Sequence, residues 1–238
     1  MIRRKNFFAL IILFFCSLLF SVDTSGMSEI YKDKGIIVFA EDSMDYSAFI
    51  SNTKKSIKEL EKIFKKNLKG TVSIYIYANH KSSSQKIFGS EENTIQTAMA
   101  DPVNLKIYLT SPYDTYKTKD YYYTVPIHEL VHLFYSPSDL WLREGIAVYL
   151  SGQLDTKIST VLIDKYIDLY PEKMSNSNFE EYYQNFGWVT KYLLEDKLGN
   201  SIQKFIVFCR ANKKEEIIGY KNMDKFIDDW NLWIKKKS

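Results

Sequence analysis

The chain has 238 residues, enough to bury a sizeable core in one domain or in one domain with two lobes. Hydrophobic residues make up 45% of it and charged residues 26%, which excludes a fully disordered, collagen-like, low-complexity or multi-pass membrane protein. The net charge of +3 comes from Arg3, Arg4 and Lys5, and beyond residue 22 there are 29 basic and 29 acidic residues. This balance gives no electrostatic footprint of nucleic-acid binding, so no nucleic-acid partner is expected.

The N-terminus has the pattern of an export signal. Three basic residues precede an apolar run over residues 7–22 that only Ser17 and Ser21 interrupt. The run is short for a membrane span, which needs about 20 apolar residues, and suits the apolar region of a signal peptide. We therefore interpret residues 1–22 as a signal peptide or, if uncleaved, as an anchor that associates with the membrane through residues 7–22. Either interpretation predicts a secreted or cell-surface protein.

The chain has two cysteines, Cys16 in the apolar run and Cys209 in an apolar helical stretch. If the run is removed, no intrachain disulfide can form. That fits the surface of a Gram-positive bacterium better than a disulfide-rich secretory route. We interpret Cys209 as a small buried hydrophobe rather than a reactive thiol.

The sequence predicts a β-rich lobe over about 30–115. This lobe consists of a small mixed β-sheet with helices. Apolar or alternating runs predict strands, which cover residues 35–40, 71–77, 97–100 and 105–110. Helical spacing of apolar residues predicts a helix over 46–68 that Gly70 ends, and a short helix over 82–88.

The part from about residue 116 to residue 238 predicts a mainly helical lobe. The predicted helices cover residues 119–135, 142–151, 159–170, 179–198, 201–211 and 223–236. Pro126 is expected in the first turn of its helix, so that the helix proper begins near Thr124. Together the two lobes predict an α+β domain over residues 28–238.

Two of the three histidines occur in the motif His128-Glu129-Leu130-Val131-His132. On a helix, residues i and i+4 lie on one face about one turn apart, so the two imidazoles can share one Zn²⁺. Glu129 lies about 100° further round the helix, where it can reach a water on the metal but is a poor ligand. Two ligands and a general base in this spacing are the chemistry of H-E-x-x-H.

A catalytic zinc site needs a third protein ligand and leaves one position for water. The extended motif with a third histidine is absent, so a carboxylate must complete the site. Glu144 is the candidate, because Leu142 and Ile146 lie on the opposite face of its predicted helix. Gly145 beside it predicts a close approach to the helix of the motif. The alternative for Glu144 is a solvated carboxylate near a helix start.

The combination of HELVH with WLREGIAVY resembles the gluzincin metallopeptidases, specifically the short peptidase MA-like domains related to the catalytic core of thermolysin. The later segments YYQNFGWVTKYLLEDKLGNSIQKFI and GYKNMDKFIDDWNLWIKK are similar to helices of such domains. The resemblance covers about 110–238 with fair specificity and 30–110 loosely. Only 11 residues separate His132 from Glu144, fewer than in the large gluzincins, which fits the short family.

The resemblance implies a zincin-like fold with the active-site helix between the two lobes. It implies that His128, His132 and Glu144 bind zinc, and that Glu129 is the base in peptide-bond hydrolysis by a zinc-activated water. The family often uses a tyrosine from a later helix as a donor to the oxyanion. Tyr183 is our choice for this residue and Tyr182 the alternative. Hydrogen bonds that orient the imidazoles are expected, but the sequence does not identify their partners.

Two other functions stay open on the sequence. One is a non-catalytic cell-surface binding module that retains the fold, and the other is a membrane-anchored structural protein whose helices only pack. The intact Glu129 favours the enzyme, because a binding module needs no base. For the enzyme we expect a peptide or protein substrate and a monomer. No charged cluster indicates the cleavage specificity or distinguishes an endopeptidase from an exopeptidase.

Overall fold

The computed structural model describes residues 22–89, 97–114, 121–154, 163, 165–169 and 179–237. It confirms the α+β prediction, with a mixed sheet in the N-terminal half and mostly helices in the C-terminal half. The strands are β1 (Ser28–Asp33), β2 (Ile36–Ala40), β3 (Val72–Tyr77), β4 (Ala98–Asp101) and β5 (Lys106–Thr110). The helices are α1 (Ser47–Phe64), α2 (His80–Phe88), α3 (Tyr121–Phe134), α4 (Leu140–Ser151), α5 (Phe179–Tyr192), α6 (Ile202–Arg210), α7 (Lys214–Ile217) and α8 (Met223–Lys235).

The sheet has the strand order β1-β2-β3-β5-β4. The three inner strands are parallel, and each edge strand is antiparallel to its neighbour. Val38, Ile74 and Ile107 lie side by side in register and are fully buried. They share one core with Phe49 of α1 and Leu130 of α3, so one face of the sheet supports the helix that carries the histidine motif.

Strand β1 was not predicted from the sequence. Its residues, SEIYKD, are mostly exposed and show no alternation of apolar and polar side chains. The strand forms because the edge of β2 offers unpaired backbone groups, and the turn at Gly35, with φ 87°, returns the chain onto that edge. Backbone pairing therefore decides this element, and side-chain patterning does not reveal it.

Several predicted helix boundaries differ from the structure, and two of the differences have a clear local cause. Helix α1 ends at Phe64, because Lys65 adopts a left-handed conformation with φ 50° and the Lys66 N–H donates to the Glu61 carbonyl at 3.2 Å. Pro126 lies inside α3, as its sixth residue, instead of in the first turn. The proline removes one backbone hydrogen bond, and the neighbouring Val125 packs against the core.

Several predictions touch residues that the structure does not describe. The interpretation of residues 1–22 as a signal or anchor concerns a segment that is almost wholly outside the described residues. The helix predicted over 159–170 is described only in part, where a 3₁₀ turn occupies Tyr166–Leu169. The helix predicted over 179–198 divides into α5 and a π-helical turn over Leu193–Lys197. Within the described ranges, no helix combines the length and the hydrophobicity that crossing a membrane would require.

Helices α4 and α5 approach each other closely at two glycines. A Cβ on Gly145 would lie 2.2 Å from Thr190 Oγ1 and 2.5 Å from the Phe186 carbonyl oxygen, and a Cβ on Gly187 would lie 2.6 Å from a Val148 methyl. A methyl group at Gly145 would require movement of the α5 backbone, and one at Gly187 would require the Val148 and Leu154 side chains to shift. The close approach predicted at Gly145 therefore exists, but the partner is α5 and not the motif helix α3.

Cys209 is half-buried on α6 and packs against the core. Burial raises the pKa of its thiol to about 12, so the thiol stays protonated at neutral pH. This environment agrees with the interpretation of Cys209 as a packing residue.

Candidate metal centre

Helix α3 presents both histidines of the motif on one face. The ring centroids of His128 and His132 are 4.8 Å apart and the rings are nearly perpendicular, at 81°. Both side chains are buried. Leu130 and Phe134 on the same helix are also buried in the core, so packing fixes the helix and the rings have little freedom to turn away.

Helix α4 brings Glu144 to the two imidazoles. Glu144 Oε2 lies 3.2 Å from His128 Nε2 and 3.4 Å from His132 Nε2, and the carboxylate is buried. Two ligand atoms that each bind one tetrahedral zinc ion at about 2.1 Å are about 3.4 Å apart. The two distances fit that value, so this buried group of three side chains could hold a metal ion. The sequence-based expectation that Glu144 faces the motif, and not solvent, agrees with this placement.

The carboxylate of Glu144 is held in its ionised form. Burial opposes ionisation, but hydrogen bonds with His128 and His132 outweigh it, and the pKa of Glu144 lies well below its usual value. Arg143 Nε donates to the other carboxylate oxygen, Oε1, at 2.9 Å. One oxygen of Glu144 is thus engaged by Arg143 while the other faces the two rings.

Glu129 is buried beside this group but is not part of it. The backbone N–H of Ala100, on β4, donates to its carboxylate. Burial raises the pKa of Glu129, although the neighbouring His128 and His132 act in the opposite direction. A carboxylate whose pKa is raised towards neutrality is a better proton acceptor than an ordinary glutamate.

The structure distinguishes the two candidate tyrosines of α5. The Tyr183 ring stacks on His128, with centroids 6.1 Å apart and planes 15° apart, and its hydroxyl hydrogen bonds with Glu144. Burial and the charges of Glu144 and Glu129 raise the pKa of Tyr183 well above its usual value, so the hydroxyl keeps its proton. Tyr182 packs against the hydrophobic core instead.

Two residues that contact His128 or Glu144 were not found from the sequence. Arg143 contacts Glu144 as described, and Gln153 Oε1 lies 2.7 Å from His128 Nδ1. Gln153 follows the C-terminal Gly152 of α4, so no helical periodicity relates it to the motif. The sequence carries no signal for this contact, because it depends on how α4 ends and on how it crosses α3.

Comparison of the chain with protein-family models and with curated proteins finds no match. The resemblance to the gluzincins therefore stays a prediction from the motif residues.

Proposed function

We propose that the protein is an exported zinc metallopeptidase that hydrolyses peptide bonds. One observation carries the proposal. Two histidine nitrogens and one carboxylate oxygen converge in a buried site, beside a second buried glutamate that is not among the three. Catalytic zinc sites need these two components, a ligand set that leaves a position for water and a separate base.

The donor set favours zinc among the divalent metals. Two imidazoles with one carboxylate form the His₂Glu set of zinc hydrolases, whereas Mg²⁺ and Ca²⁺ prefer sites made of oxygen ligands. When bound by His128, His132 and Glu144, zinc would supply Lewis acidity that polarises the substrate carbonyl and lowers the pKa of water towards about 7.

Glu129 is assigned as the general base. Its carboxylate accepts a proton from the attacking water and passes it to the amine of the leaving group. The raised pKa of Glu129 suits both steps, because the group must take the proton and then release it. Proton transfer of this kind contributes roughly 10²–10⁴-fold to a rate.

The edge of the sheet next to the site suits an extended peptide. The Thr110 N–H donates to the Thr97 carbonyl at 2.8 Å, so by antiparallel alternation Ala98 and Ala100 direct their backbone groups away from β5. No other described strand pairs with that edge of β4. A peptide added there as a strand could pair with Ala98 and with the Ala100 carbonyl, because the Ala100 N–H already donates to Glu129. Such a peptide would run past Glu129.

Tyr183 is assigned as the donor to the oxyanion that develops on the carbonyl oxygen. We expect Tyr183→Phe to lower kcat, measured at saturating zinc, by about 10²–10³-fold, the usual cost of losing one such donor. The measurement is steady-state peptide hydrolysis together with a zinc titration. Tyr182→Phe is the matched control and should retain wild-type kcat, since Tyr182 packs on the core. Equal effects of the two substitutions would contradict the assignment.

A peptide library tests the function itself. The full-length protein should cleave members of a mixed peptide library, lose the cleavage on chelation and regain it on addition of zinc. Mass spectrometry of the products also reports whether cuts are internal or terminal. Bound zinc without any cleavage would favour the binding module, and cleavage that resists chelation would exclude the metallopeptidase.

A further inference from the structure

The two imidazoles of the site differ on the side that faces away from Glu144. His128 Nδ1 lies 2.7 Å from the side-chain oxygen of Gln153. His132 Nδ1 is buried and has no hydrogen-bond partner among the described residues. Among the described residues, the Nδ1 of His128 therefore has a hydrogen-bond partner and the Nδ1 of His132 has none.

We infer that Gln153 is a positioning residue of the metal centre, and that its side-chain carbonyl holds His128 in the tautomer and orientation that present Nε2 to the metal. The inference rests on the proposed function, because a tautomer matters here only if the ring binds a metal.

The chemistry of the contact selects the tautomer. A neutral imidazole has one N–H, and a side-chain carbonyl can only accept a hydrogen bond. With Gln153 Oε1 as acceptor, the proton is on Nδ1. Nε2, the atom 3.2 Å from Glu144 Oε2, is then the nitrogen that would present its lone pair to a bound metal. Hydrogen bonds of this type fix ring orientation at metal centres, and their loss typically costs 10–100-fold in metal affinity.

The backbone places Gln153 without help from the metal. Helix α4 ends with Gly152 in the left-handed region, at φ 77°, and the Gln153 N–H donates to the Val148 carbonyl at 3.1 Å. From α5, Gln184 Nε2 donates to the backbone carbonyl of Gln153 at 2.9 Å. The same helix therefore supplies Glu144 to the metal site and, one residue beyond its cap, the acceptor for His128.

Gln153 also differs from the carboxylate that often occupies this role at zinc centres. A neutral acceptor orients the ring without adding a third negative charge near Glu144 and Glu129. Replacing it by glutamate keeps an acceptor of the same reach and adds charge, so Gln153→Glu should bind zinc at least as tightly as the wild type. Replacing it by leucine keeps the approximate volume and removes the acceptor.

Zinc affinity of the full-length variants tests the inference, measured by competition with a chromophoric chelator at fixed pH. We expect Gln153→Leu to weaken zinc binding by about 10–100-fold. Gln153→Glu should bind zinc at least as tightly as the wild type. Gln203→Leu is the matched control and should leave affinity unchanged, because Gln203 lies on α6 away from the metal centre, where its Nε2 donates to the Ile63 carbonyl of α1 at 3.3 Å. Thermal unfolding without zinc should show for Gln153→Leu no more than the small destabilisation that the loss of one hydrogen bond causes.

Three results would overturn this inference alone. One is a Gln153→Leu protein that binds zinc as tightly as the wild type. Another is a Gln153→Glu protein that loses as much affinity as Gln153→Leu. The third is a loss of affinity that is matched by a lower unfolding temperature of the zinc-free protein, which would indicate a purely structural role. A wild-type protein that binds no zinc would overturn both this inference and the proposed function, so the two failures are distinguishable.

Discussion

Replacing Glu129 by glutamine should reduce kcat/KM for peptide hydrolysis by about 10²–10⁴-fold and leave zinc bound. The amide has nearly the shape of the carboxylate but cannot accept and return a proton. Glu129 does not belong to the three side chains that form the candidate metal site, so zinc binding should persist after the substitution. The measurement combines steady-state kinetics on a cleaved peptide with the zinc content of the same preparation.

A surface glutamate provides the control for this substitution. Glu195 accepts a hydrogen bond from Tyr149 on the exterior of the molecule, and Glu195→Gln should retain full activity. Hydrolysis by the Glu129→Gln protein at the wild-type rate would contradict the assignment of Glu129 as base, even if zinc were present. Loss of zinc in the same variant would instead indicate that Glu129 helps to hold the metal.

Replacing His132 by alanine should weaken zinc binding by more than about 100-fold. Structural zinc sites gain about 10–16 kcal/mol from four ligands, which corresponds to about 3 kcal/mol for each. The expected readouts are a lower zinc affinity and a loss of zinc-dependent stabilisation. Saturation at 1,000 times the dissociation constant should raise the unfolding free energy of the wild type by about 4 kcal/mol, and the variant at the same zinc concentration should gain much less.

The third histidine gives a control on the same chain. His80 begins α2, outside the metal centre, so His80→Ala should bind zinc like the wild type. If His132→Ala bound zinc with wild-type affinity, the metal would have to be held elsewhere. Comparison of the zinc-free proteins separates the loss of a ligand from the cost of the cavity that the smaller side chain leaves.

The sequence predicts the convergence of His128, His132 and Glu144 because the information for it is local. Two histidines four residues apart must share a helix face, and Glu144 is the one acid opposite the apolar side of its helix. The structure brings these atoms together at 3.2 and 3.4 Å. The parallel strands were also predictable, since their buried faces produce continuous or alternating apolar runs.

The features that were missed depend on contacts between distant segments. Gly145 predicts that another helix approaches α4 closely, but the sequence does not say which one. That helix is α5, whose Gly187 leaves room for Val148 of α4. Gln153 has no periodic relation to the motif, so only the end of α4 reveals its contact with His128. The polar strand β1 is placed by backbone pairing with β2, and residue patterns do not report such pairing.

Zinc-edge X-ray absorption of the zinc-loaded full-length protein tests most directly whether His128, His132 and Glu144 bind one ion. The spectrum should require two imidazole nitrogens and carboxylate oxygen at about 2.0–2.2 Å, and the imidazole contribution should fall to one in His132→Ala. A spectrum that requires sulfur at about 2.3 Å, or one that is unchanged in His132→Ala, would contradict the assigned centre.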